Sequence, residues 1–146
     1  MTDNRKRTLH GAFAVLAMTM LELLPGRSVG AQEMSLELNK LAQRGEACRL
    51  TFFIQNSGAD RFETFKIELV LFGDDGIIDR RFTGDLATLR PAKATVVSFD
   101  LDALKCQGVS QVLLNDVVDC ADPAGVRTDC VEKLDVRSRA GVPLIK

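Results

Sequence analysis

The stretch FETFKIELVLFGDDGIIDRRF, residues 62–82, decides the fold. Phe65, Ile67, Leu69 and Leu71 fall on alternate positions, with Lys66 and Glu68 between them. A period of two puts the apolar set on one face of an extended strand and the charges on the other. A helix would need apolar residues three and four apart. GDDG follows at 73–76, where Asp75-Gly76 is expected to supply the positive-φ positions of a tight hairpin turn. IIDRRF is then the returning strand.

The same period recurs on both sides. MSLELNKLA sets Met34, Leu36 and Leu38 on one face, and CRLTFFIQN sets Cys48, Leu50, Phe52 and Ile54. Asn56-Ser57-Gly58 ends that run as a turn. ATVVSFDL places Thr95, Val97, Phe99 and Leu101 together. SQVLLNDVVDC is a further strand with a bend expected at Asn115-Asp116. CVEKLDVRSR closes the series, with Cys130, Leu134 and Val136 inward. Leu86, Leu89 and Pro91 read as a connecting loop, and DLDALKC (100–106) as a short helix-like turn at most. About seven strands with turn chemistry between them predict an all-β fold, an antiparallel immunoglobulin-like β-sandwich.

The first 31 residues read as an export signal. Arg5, Lys6 and Arg7 precede the apolar run GAFAVLAMTML (11–21), which is shorter than a membrane span. Val29 and Ala31 fit the small −3 and −1 positions, so cleavage is expected after Ala31. Residues 1–31 are thus a cleavable signal and residues 32–146 a single domain, expected in the periplasm with no membrane insertion after cleavage. Lys6-Arg7 resembles half of a twin-arginine motif, and the general secretory route is the reading taken.

The expected mature chain holds 15 basic and 18 acidic residues. That balance lacks the basic stripe of a nucleic-acid binder. The sole histidine, His10, lies in the signal. The rest of the chain therefore has no Ser-His or Cys-His pair and no imidazole ligand for zinc or copper. No catalytic residue, cofactor or metal site is expected, and the chain reads as a non-enzyme.

Cys48, Cys106, Cys120 and Cys130 are separated by 57, 13 and 9 residues. An even count in an exported chain reads as disulfides. Cys48 begins its strand and Cys106 follows the end of ATVVSFDL, positions that lie side by side in an antiparallel pair. Cys120 ends one strand and Cys130 starts the next, as at one end of a hairpin. The pairing 48–106 and 120–130 follows. The spacing lacks the close C-x-x-C pairs of a zinc or thiol-redox site.

Other clusters have a bland reading beside a functional one. Asp116, Asp119, Asp122 and Asp129 surround the Cys120–Cys130 loop, where carboxylates could hold calcium or a small ligand; solvated acids are the ordinary alternative. Asp74-Asp75 is a turn before it is a ligand. No pair of acids is selected for glycoside hydrolysis. Arg80-Arg81 and Arg137 with Arg139 could meet an acidic partner or simply face solvent. Phe53 breaks the inward alternation, which places it under a loop or at a partner surface.

ACRLTFFIQNSGA, VLFGDDGII, the L-x-x-L-x-P loop and VVSFDL together resemble the exported FxLyD-like β-sandwich domains. From MSLELNKL to the final C-x₃-LDVRSR, the chain is similar to short proteobacterial envelope proteins labelled "Tat pathway signal sequence domain protein". Phe72-Gly73 stands where those domains have a tyrosine before the acidic turn. The resemblance implies an exported sandwich and no particular activity. The function expected is an interaction module binding another, unidentified envelope protein through a sheet edge or loop end. A calcium- or small-ligand-binding protein and a thiol-based redox protein are the alternatives.

Overall fold

The computed structural model describes residues 33–86 and 88–146. The expected signal and its cleavage site lie outside these residues. Among the described residues nine strands form: β1 (Met34–Arg44), β2 (Ala47–Asn56), β3 (Thr64–Phe72), β4 (Ile78–Asp85), β5 (Lys93–Leu101), β6 (Gln111–Asp122), β7 (Gly125–Val126), β8 (Leu134–Ser138) and β9 (Leu144–Ile145). They make two sheets, ordered β5-β2-β1-β8 and β4-β3-β6-β7, with β9 also paired to β6.

The sandwich is held by the inward sets that the period of two predicts. Leu36, Leu38, Leu50, Phe52, Phe65, Ile67, Leu69 and Leu71 are all fully buried in one core. Each such side chain contributes about 1.5–3 kcal/mol by leaving water. Leu86 and Leu89 plug the core from the β4–β5 connection, and Leu89 bridges to Phe62. Between the sheets, Phe82 of β4 meets the Phe99 ring of β5 at 5.6 Å. Gly84 permits this approach, because a Cβ there would come within 2.7 Å of Phe99 Cζ.

Several details differ from the sequence reading. The β3–β4 turn uses one positive φ, at Gly76, rather than two. The Gly76 amide donates to the Gly73 carbonyl at 2.9 Å and the Gly73 amide to that of Ile77 at 2.8 Å. This is a three-residue loop closed by a left-handed glycine. Residues 100–106 continue β5 to Leu101, turn at Ala103 with φ of +54°, and reach a 3-10 turn at Cys106–Gly108. The bend in β6 is two bulges, where Asn115 and Val118 are skipped in the pairing with β3. Most pairs are antiparallel, but β1–β8 and β6–β9 run parallel.

The largest difference concerns β8. The expected closing hairpin would put it beside β6, as the last strand of an immunoglobulin domain lies beside strand F. It instead joins the opposite sheet, with Leu134 opposite Met34 and Ser138 opposite Leu38. The strand also starts at Leu134, so Cys130 precedes it in a turn.

Candidate functional site

Both disulfides form as paired in the sequence reading, and no cysteine is free. Cys48 and Cys106 have Cα atoms 5.0 Å apart, at the start of β2 and just beyond the end of its neighbour β5. The argument for that pair therefore holds. Cys120 and Cys130, with Cα atoms 6.6 Å apart, are not at one end of a hairpin. Cys120 lies within β6, and Cys130 belongs to the turn leading to β8 in the other sheet. The clip holds the crossover that carries the chain between sheets.

The acids of that region are organised by Arg127, which the sequence reading passed over. Its guanidinium donates to both oxygens of Asp129, at 3.0 and 2.9 Å, to Asp122 at 2.8 Å and to Asp60 at 3.3 Å. A cation flanked by Asp122 and Asp129 on the nine-residue loop between Cys120 and Cys130 was the available signal. The guanidinium, and then Lys133, hold the Asp129 carboxyl well below its ordinary pKa. Arg127 and the Ala124 amide lower that of Asp122. Asp119 pairs with Lys66 at 3.2 Å, and Asp116 accepts from the amide of Val117. Among the described residues no group of three acidic or cysteine side chains is arranged to hold a metal ion; the three carboxylates here converge on the Arg127 guanidinium instead.

Arg137 and Arg139 do meet an acid, but one of the chain's own. Glu37 of β1 lies on the outward face of its sheet, directly opposite Arg137. It accepts from Arg137 Nε at 2.8 Å, from Arg139 Nε at 3.1 Å and from Asn39 Nδ2 at 2.9 Å. These neighbours leave it only 4% exposed. The amide of Asn39 and the two guanidinium groups lower its pKa. Arg80 donates to the Asp102 carbonyl, and Arg81 pairs with Glu68 at 3.5 Å.

The residue that breaks the inward alternation, Phe53, is half-buried on the same outward face as Glu37. The register sets Glu37, Phe53 and Val96 in one row across β1, β2 and β5. Val96, at the end of that row, is 62% exposed.

Beyond Val96 lies the outer edge of β5. An edge strand directs about half of its N–H and C=O groups to solvent and invites pairing, so proteins usually blunt it. Three of the edges are blunted. β4 carries Asp79, Arg80, Arg81 and Asp85, and Asp79 is skipped in its pairing with β3. β6 is bulged twice and is capped by β7 at one end and β9 at the other. β8 has five residues, including Asp135 and Arg137, and Lys146 Nζ donates to the Leu134 and Val131 carbonyls beside it. β5 differs. Its nine residues pair with β2 one for one without a register shift, and no charge stands between Ala94 and Phe99. Among the described residues nothing pairs with its far side.

Comparison with known proteins adds the fold and little more. No family model matches the chain, and no curated protein matches it. A solved structure of IrmA from Escherichia coli is similar over 73% of this chain and 92% of its own, at 11% identity and a TM-score of 0.55. A beta-glucosidase from Kluyveromyces marxianus matches over 64% of this chain but 13% of its own, at 9% identity and a TM-score of 0.37. The first likeness is one of fold alone, and the second is too slight to define a shared fold.

Proposed function

We propose that the protein is a non-catalytic interaction module of the cell envelope, exported to the periplasm, that accepts an extended segment of another envelope protein along β5. The observation that carries this reading is the unblunted edge: nine residues in unbroken register, uncharged from Ala94 to Phe99, beside the exposed Val96 and half-buried Phe53. A segment added there would gain main-chain hydrogen bonds from the strand and apolar contact from the Phe53–Val96 row. The two disulfides support an oxidising compartment. The absence of histidine from residues 32–146 supports a binding role over acid–base catalysis.

The test is site-specific photo-crosslinking in living cells. A crosslinker at Val96 should trap a defined envelope protein, whereas one at Thr83 on β4 should not. Val96→Lys, with the crosslinker moved to Ser98, should abolish the adduct. Equal background capture at both edges would remove the reading. Intact mass tests the compartment: the expected species runs from Gln32 to Lys146 less four hydrogens.

A further inference from the structure

A second interaction surface lies at one end of the sandwich, and its reading is independent of the β5 edge. Ile77 and Ile78, at the exit of the β3–β4 hairpin, are 66% and 53% exposed. Two adjacent large aliphatic side chains in water are unusual where the chain had a free choice of polar residues at a turn. They line a depression of about 390 Å³ together with Gly73, Asp74, Asp79 and Gly108. A second depression, of about 240 Å³, shares Gly73, Asp79 and Gly108 with the first and continues to Ala103, Leu104 and Lys105. The two form one groove between the hairpin and the segment after β5.

The charge around this groove is uncompensated. Elsewhere Asp60, Asp122 and Asp129 share Arg127, Asp100 has Arg49, and Asp119 has Lys66. Asp74 and Asp79 have no cationic partner among the described residues. The neighbouring cations are already engaged: Lys105 by Glu46 at 2.8 Å, and Arg80 by the Asp102 carbonyl. Asp75 caps the turn by accepting from the Ile77 amide at 2.9 Å. The end of the sandwich is thus an aliphatic patch with a carboxylate rim. An apolar centre with a charged rim is the anatomy of a protein interface, and the sign of the rim selects the partner.

We propose that this groove docks a basic polypeptide segment that carries aliphatic side chains. Its apolar groups cover Ile77 and Ile78, and its lysine or arginine groups meet Asp74 and Asp79.

The test uses the mature, oxidised protein labelled for amide NMR and two synthetic probes, acetyl-(Lys-Leu)₃-amide and acetyl-(Glu-Leu)₃-amide. The basic probe should shift amides of Gly73–Asp79 and Ala103–Gly108, and the acidic probe should leave them unmoved. Raising the salt from about 0.05 M to about 0.5 M should weaken binding several-fold. Asp74→Asn with Asp79→Asn, and separately Ile77→Ser with Ile78→Ser, should each weaken it about tenfold or more, an effect near 1.4 kcal/mol. All four positions are exposed, so the spectrum should otherwise stay native; Asp75 is left in place because it caps the turn. Equal response to the acidic probe, or unchanged binding by the variants, would overturn the proposal. So would shifts confined to Lys93–Leu101, an outcome that favours the β5 edge instead.

Discussion

The two flanks of the sandwich are built differently. On one, β6 is bulged, β7 and β9 cover its ends, the Cys120–Cys130 clip ties the crossover, and Arg127 gathers three carboxylates. On the other, β4 and β5 stand as free edges, joined mainly by Phe99 lying over Gly84 and against Phe82. The closed flank spends its polar groups on itself. The open flank keeps its backbone edge unpaired, and the acidic groove opens at its end. An edge strand left regular, and uncharged from Ala94 to Phe99, is open to pairing, and this is the feature on which the proposed docking rests.

Breaking the bridges should separate the flanks most strongly. Replacing Cys48 and Cys106 by serine opens a 58-residue separation, and chain entropy sets the loss at about 4 kcal/mol. Replacing Cys120 and Cys130 opens a ten-residue separation and should cost about 2.7 kcal/mol. Urea midpoints should fall in that order. The reverse order would show that the closed flank depends on its clip more than chain entropy allows.

Gly84→Ala should cost about 1–3 kcal/mol, because the new methyl group must displace the Phe99 ring. Thermal unfolding reads the loss. Phe99→Leu in the same chain should restore part of it, and an unchanged melting temperature for Gly84→Ala would show that the sheets separate freely on this flank.

The closed flank should also be acid-sensitive, and on the open flank Asp100 of β5, whose pKa is lowered by Arg49, adds to the same dependence. Asp122, Asp129 and Glu37 all have folded pKa values below their ordinary ones. At low pH the unfolded chain therefore binds more protons than the folded one. Their stabilisation is complete above the ordinary carboxylate range and disappears as pH falls through that range and below it. Melting temperature should be level above about pH 5 and decline below about pH 4. Arg127→Gln should flatten that decline, whereas Arg80→Gln on the open flank should not.

The smallest expected effect is at Ala103, a non-glycine residue at φ of +54° beside the acidic groove. Ala103→Gly relieves the left-handed strain and should stabilise the protein by about 0.5 kcal/mol after the entropy of glycine is counted. A loss instead would mean that its methyl group packs in the turn.

Much of this was legible in residue order, for reasons visible at particular residues. Alternation from Phe65 to Leu71 and from Cys48 to Ile54 named the core before any coordinates. Cys48 and Cys106 were paired for the right reason, since neighbouring antiparallel strands do bring those ends together. Cys120 and Cys130 were paired correctly although no hairpin joins their strands. Glu37 was hidden because its partners, Arg137 and Arg139, lie about a hundred residues away.

Residue order alone determined which face of each strand turns inward, that residues 32–146 hold no histidine, and that four cysteines would pair. Those are properties of side-chain type and of a two-residue repeat, and both are local. Tertiary structure decided which strands become neighbours: β8 leaves β6 for β1, Arg127 reaches Asp60, and β5 remains at an edge. A period of two says which way a side chain points, but any inward-facing strand can lie beside several others. The choice among them is made by how the whole core fills, and that choice leaves one edge open.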